Sequence, residues 1–190
     1  MNKIKKNKNL YSRPSQQEMN DLESLYKSNQ IDSLEDQARK LVENYPRVSG
    51  LYNILGIALQ KKAKFNESIS NFNQAINIQP NFDQAHNNLG NVLKDAGRVK
   101  EAIDSYEQAL KLNPQYVETY SNLGIALGEL GKFEEAIASH KKALKLNPNY
   151  MEAYSNLGNM LREIGKFKEA IVSYKQALTI NPKSEYALYS

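Results

Sequence analysis

Cysteine and tryptophan are absent from the 190 residues, and histidine occurs only twice. Without cysteine there is no disulfide framework, no cysteine-based zinc site and no thiol nucleophile. His86 and His140 stand far apart in the chain, so metal ligation and imidazole acid–base chemistry are poorly supplied. No apolar run approaches the roughly 18 residues of a membrane-spanning helix. The overall balance of 41% apolar and 24% charged residues is that of an ordinary soluble globular chain and excludes collagen-like or mucin-like polymers.

The formal charge of +4 is unevenly placed. Lys3, Lys5, Lys6, Lys8 and Arg13 lie within residues 1–14, which contain no acid. The remaining 20 basic groups face 21 acidic ones, so the excess belongs to a tail and not to a basic fold. Such a tail reads as solvated and disordered, with contact to an anionic surface as the alternative. Tyr11 alone could stack a base there, and it lies outside the lysine run, which argues against nucleic acid. No apolar core follows the basic residues, so they do not form a secretory signal, and a cytoplasmic location is expected.

Proline and glycine are scarce, and their placement is informative. Pro46, Pro80, Pro114, Pro148 and Pro182 are spaced 34 residues apart, a period that signals stacked structural repeats. Counting each unit from Ser49 puts proline at unit position 32. Position 4 is then Tyr52, His86, Tyr120 and Tyr154, position 7 is leucine in all four units, and position 8 is Gly56, Gly90, Gly124 and Gly158. Position 24 is Phe72, Tyr106, His140 and Tyr174, and position 27 is always alanine.

Each unit reads as two helices. Positions 4, 7, 8 and 11 trace one buried face of the first. Glycine at position 8 costs about 1 kcal/mol of helix propensity, which close packing against the second helix must offset. Gly97, Gly131 and Gly165 at position 15 end the first helix; Ala63 stands there in the first unit. A glutamate at position 19 opens each second helix near the positive end of its dipole. Each second helix stops before its Asn-Pro or Gln-Pro pair.

These positions resemble the tetratricopeptide repeat, with tyrosine or histidine in place of the usual tryptophan at position 4. The resemblance implies an all-α fold, a right-handed superhelix of antiparallel helix pairs. The expected organisation is a disordered basic tail over 1–14, a degenerate pair over 15–48, and four units over 49–82, 83–116, 117–150 and 151–184. A further helix would begin at 185–190. In the degenerate pair, Leu22 replaces the position-8 glycine and Asn29 serves the turn.

No phosphate-binding glycine loop or nucleophile elbow is present. His86 and His140 occupy aromatic packing positions, so no catalytic residue, metal site or cofactor is expected. Positions 2, 5, 6, 9 and 13 fall opposite the buried face of the first helix, and curved solenoids bind ligands on that inner surface. Position 6 is Asn88, Asn122 and Asn156, broken by Ile54 in the first unit; Asn87 stands at position 5, and Asn91 and Asn159 at position 9. An amide can pair with both N–H and C=O of an extended peptide. The array resembles the superhelix of O-linked N-acetylglucosamine transferases, which implies a peptide-holding ladder at Asn88, Asn122 and Asn156. The same amides could instead bond one repeat to the next, and both readings stay open.

Only Lys61 is basic on this inner face, while Glu118, Glu129, Glu152 and Glu163 make its later part acidic. A clamp for a peptide carboxylate is therefore disfavoured, and a neutral or basic segment is the better ligand. The expected function is a non-enzymatic module binding an extended peptide or protein. The alternative is the substrate-recruiting part of a larger glycosyltransferase, sulfotransferase or methyltransferase. Partners are expected to be protein rather than metal, nucleic acid or membrane, with self-association through the C-terminal repeat edge as a further expectation.

Overall fold

The structure, a computed structural model, describes residues 13–181. The lysine run at Lys3–Lys8 and the expected helix start at 185–190 lie outside the described residues. Within them are ten α-helices and no strand. In order these are α1 (Gln16–Lys27), α2 (Ile31–Asn44), α3 (Ser49–Lys61), α4 (Phe65–Ile78), α5 (Asp83–Asp95), α6 (Val99–Leu112), α7 (Val117–Glu129), α8 (Phe133–Leu146), α9 (Met151–Glu163) and α10 (Phe167–Ile180). Two compact units, Met1–Val92 and Leu93–Ser190, divide within α5.

The turns between paired helices follow one solution. Gly97, Gly131 and Gly165 have φ of +75°, +73° and +75°, the left-handed conformation that ends a helix. Asn29 and Ala63 adopt it too, at +56° and +54°. Asparagine tolerates this region; alanine pays for its Cβ.

In the first unit, Leu22, Leu34, Ala38 and Leu41 of α1 and α2 share a core with Leu51, Leu55, Ala58 and Leu59 of α3. In the second, Ile137 of α8 packs with Leu157 and Leu161 of α9 and Ala170 and Tyr174 of α10. The position-8 glycines sit against the position-24 rings. A Cβ on Gly56 would lie 2.7 Å from Phe72, on Gly124 2.6 Å from His140, and on Gly158 2.4 Å from Tyr174. No methyl group fits at these distances, so the ring of the second helix lies directly on the backbone of the first. At the same crossing Ser68, where the other units have alanine, donates 2.7 Å to the Gly56 carbonyl.

The first helices bury more than one face. Position 3 (Leu51, Ala85, Thr119, Ala153) is fully buried, as are Ala58, Val92 and Ala126 at position 10. At 100° per residue, positions 3 and 10 lie on one flank of the core face and position 5 on the other. Position 5 is buried as well: Asn53, Asn87, Ser121 and Ser155. The expected open side thus narrows to positions 2, 6, 9 and 13.

One ionic cluster ties the first unit together. Glu35 of α2 is buried and receives Lys62 at 2.8 Å, Arg39 at 2.8 Å and Lys64 at 3.0 Å. Lys62 also reaches Asp32, and Arg39 reaches Glu67 of α4, both at 2.6 Å. The Lys62 hydrogen bond, with help from Lys64 and Arg39, outweighs desolvation and holds the Glu35 carboxyl down at about 2. In the other pairs the cation at position 16 turns to its own glutamate three residues on, as in Arg98–Glu101 and Lys132–Glu135.

Candidate functional site: the open stripe of the first helices

In the first unit the stripe runs over α1, α3 and residues 83–92 of α5. Met19, Leu22 and Tyr26 of α1 and Ile54 and Ile57 of α3 line a hollow of about 250 Å³. Tyr26 is half exposed, and the Lys61 ammonium lies 5.5 Å from its ring centre, a cation–π arrangement. Ile54 and Ile57 occupy positions 6 and 9, so the hollow is apolar at position 6, where the other repeats offer amides.

Asn88 lies beside this hollow's helix. Its Nδ2 donates to Asn53 Oδ1 at 3.0 Å, linking α5 to α3, and its Oδ1 stands 3.5 Å from Asn87 Nδ2. Asn87 is buried, with 5% of its surface exposed. Asn91 is half-buried on the same helix and is also engaged.

The second unit carries Asn122 on α7 and Asn156 and Asn159 on α9, all half-buried. Asn159 Oδ1 accepts a 2.8 Å bond from the Tyr174 hydroxyl, and Asn122 is also engaged. Glu118, Glu129, Glu152 and Glu163 are exposed. Burial is the main cause raising the Tyr150 phenol above its usual range; Glu152 and Glu118 add to it, against a hydrogen bond with Ser121.

The histidines have separate fates. His86 Nε2 lies 3.1 Å from the Pro80 carbonyl oxygen, as the Tyr52 hydroxyl lies 3.2 Å from that of Pro46. Position 4 therefore anchors the preceding proline turn. His140 is fully buried, and neither ring nitrogen has a hydrogen-bond partner. Burial pushes its pKa down to about 4, so the ring is neutral at pH 7. The unit with histidine at position 24 has Ile125 at position 9, where the next unit has Asn159 to receive Tyr174. The alternation of isoleucine and asparagine at position 9 follows the ring at position 24: Ile57 with Phe72, Ile125 with His140, Asn91 with Tyr106, Asn159 with Tyr174.

Among the described residues no group of acidic and histidine side chains could hold a metal ion, and no helix is long and apolar enough to cross a membrane.

The repeat positions are matched by family models. A TPR repeat model covers residues 56–97 and 90–131, and a tetratricopeptide repeat model covers 117–150 and 152–184. The chain belongs to the tetratricopeptide repeat family. Solved structures carry the same fold. PilF of Pseudomonas aeruginosa matches with TM-score 0.82 at 18% identity, over 90% of this chain and 78% of that one. MamA of Desulfovibrio magneticus RS-1 matches with TM-score 0.78 at 18% identity, over 89% and 96%. YrrB, described as a TPR protein with an unusual peptide-binding site, matches with TM-score 0.73 at 20% identity, over 93% and 91%. No curated protein matches in sequence. The all-α architecture of successive helix pairs is thus the tetratricopeptide fold.

Proposed function

We propose that this tetratricopeptide chain is a protein-interaction module that takes an extended peptide or protein segment on the open stripe of its first helices. The observation that carries the reading is the composition of that stripe. In the first unit it offers an apolar hollow at Tyr26, Ile54 and Ile57 and the half-buried amide of Asn88; in the second it offers the half-buried amides of Asn122 and Asn156. Hydrophobic burial in the hollow supplies affinity, and amides supply backbone hydrogen bonds. The description of YrrB as peptide-binding supports the class of ligand.

The amides divide by geometry. Asn87 is buried, so its amide is withdrawn from the open side. Asn88 bonds to Asn53, which uses one donor and leaves the other for a ligand. Lys61 sits over Tyr26, and the exposed glutamates of α7 and α9 favour a neutral or basic segment over a peptide carboxylate. A recruiting region of a larger transferase would use the same stripe, and no observation favours it over a stand-alone module.

A peptide-array screen of the full chain identifies binders for the test. Converting Asn88, Asn122 and Asn156 together to alanine should then weaken the selected peptide at least tenfold, about 1.4 kcal/mol. Tyr26→Asp should weaken peptides with a large apolar anchor. Unchanged affinity in both variants, with helicity retained by circular dichroism, would overturn the assignment of the stripe.

A further inference from the structure

The polar groups around the α1–α3 hollow are compensated, with one exception. Counted as in the later repeats, the open positions 2, 6, 9 and 13 of α1 are Gln16, Asn20, Glu23 and Lys27. Gln16 donates to Asn20 Oδ1 at 2.9 Å, and Glu23 pairs with Lys27 at 2.6 Å. The same positions of α3 are Gly50, Ile54, Ile57 and Lys61, and positions 2, 6 and 9 of α5 are Gln84, Asn88 and Asn91. Lys61 is exposed, faces the Tyr26 ring, and has no acidic partner among the described residues. The open stripe of the first unit therefore carries one uncompensated charge, a cation at the edge of its apolar hollow.

Geometry sets where a ligand meets that cation. The hollow, about 250 Å³ in volume, takes one large apolar side chain of an extended ligand. In an extended strand, neighbouring side chains point to opposite faces, and residues two apart share a face about 7 Å from one another. The Lys61 ammonium lies 5.5 Å from the centre of the Tyr26 ring that walls the hollow. A carboxylate two residues from the anchor thus comes within reach of Lys61, whereas one on the adjacent residue points away.

The same pattern separates the occupants. Residues 1–12 contain Lys3, Lys5, Lys6 and Lys8 and no acid, so the chain's own start brings no carboxylate to Lys61. Residues 182–190 contain one acid, Glu185, and the residues two away from it are Lys183 and Ala187, neither of them a large apolar anchor. The glutamates that favour a basic ligand stand on α7 and α9, and their preference is separate from the one at this hollow.

We propose that the α1–α3 hollow selects a partner segment in which a large apolar anchor has an aspartate or glutamate two residues away, the carboxylate pairing with Lys61. The inference rests on the stripe reading above and names the chemistry chosen at its apolar end.

The probes are capped nonapeptides, Gly-Ser-Xaa-Ser-Phe-Ser-Xaa-Ser-Gly, with glutamate, glutamine or lysine at both Xaa sites. Each is titrated to about 5 mM into the isotope-labelled full chain and followed by NMR shifts at Tyr26, Ile54 and Ile57. Affinity should fall from glutamate to glutamine to lysine by about two- to fivefold per step, the range of an exposed ion pair, and the spread should shrink with salt. Alanine in place of the anchor should remove binding. Lys61→Gln should level the series and Lys61→Glu should invert it. The readout is the ratio between glutamate and lysine peptides, in which any loss from disturbing Tyr26 is common to both and cancels. Equal affinities across the series, or an unchanged order in Lys61→Glu, overturn the proposal and leave the triple asparagine test of the stripe untouched. Failure of every anchored peptide to saturate overturns it too. Dimers in sedimentation that Lys61→Glu dissolves would give the hollow to a second copy and overturn it equally.

Discussion

Replacing His140 with phenylalanine should stabilise the protein, and more so in acid. The imidazole is fully buried with both nitrogens unpartnered. An unpartnered buried polar group costs roughly 1–3 kcal/mol. Phenylalanine has a precedent in the same setting: Phe72 is fully buried over Gly56, in the unit with Ile57 at position 9. Its slightly larger ring returns up to about 1 kcal/mol as crowding, so a gain of roughly 1–2 kcal/mol is expected at pH 7. The proton adds a second term. His140 has a folded pKa of about 4 against an ordinary 6.5. Between these values the unfolded chain binds the proton and the folded chain does not, so wild-type stability falls as pH drops from 6.5 towards 4. The loss by pH 4.5 is about 2–3 kcal/mol, and phenylalanine abolishes it. Urea unfolding followed by circular dichroism at pH 7 and pH 4.5 measures both terms. A variant no more stable than wild type at pH 7, or a difference between the two proteins that is the same at both pH values, would refute the reasoning.

Ala63→Gly should stabilise by about 0.5–1 kcal/mol, because relief of left-handed strain exceeds the entropy glycine adds to the unfolded chain; thermal unfolding reads it as a rise of a few degrees. Gly158→Ala should destabilise by roughly 1–3 kcal/mol, since the new methyl meets the Tyr174 ring at 2.4 Å, while Gly50→Ala, with nothing within 4 Å, should not. Glu35→Ala leaves Lys62, Lys64 and Arg39 without their shared carboxylate and should cost about 2–4 kcal/mol at pH 7. The Glu35 carboxyl lies below its ordinary 4.5, at about 2, so its contribution is present above pH 4.5 and lost as pH falls towards 2. Wild type should therefore show an acid transition in that window that the variant lacks, visible in urea titrations from pH 5 to pH 2.5. His140→Tyr with Ile125→Asn should recreate the Tyr174–Asn159 pair, with a favourable coupling of about 1 kcal/mol in a double-mutant cycle.

The helix pairs were legible because their signals are local and in phase. Leucine at position 7, glycine at 8 and alanine at 27 recur every 34 residues, and the glycine answers to one close contact within its own pair, the ring at position 24. The flanks of the first helix were not legible from periodicity alone. Position 3 is leucine, alanine, threonine and alanine, too varied to read as core, although it is never charged. Position 5 holds only asparagine and serine, and polarity suggested solvent; Asn53 and Ser121 are buried with hydrogen-bond partners on neighbouring segments, whereas the Ser155 hydroxyl is buried with none. The Glu35 cluster was hidden for a different reason. Lys64 has Glu67 three residues on, as in the other pairs, and only the folded chain turns it to Glu35.

The same geometry separates two uses of asparagine that look alike in the sequence. At position 9 the amide appears where a tyrosine at position 24 brings a buried hydroxyl, and Asn159 satisfies it at 2.8 Å. Isoleucine stands there when the ring is phenylalanine, which needs no partner, and also beside His140, which is left without one. The position-9 pattern is thus set by packing inside a pair. At position 6, Asn88 reaches the preceding first helix through one N–H, and its second donor is left over. Ile54 stands at this position where the preceding helix supplies Met19, Leu22 and Tyr26, so there the stripe becomes apolar. Within the first unit, a ligand of the proposed kind is therefore expected to be held by its backbone at Asn88 and selected by an apolar side chain at the α1–α3 hollow.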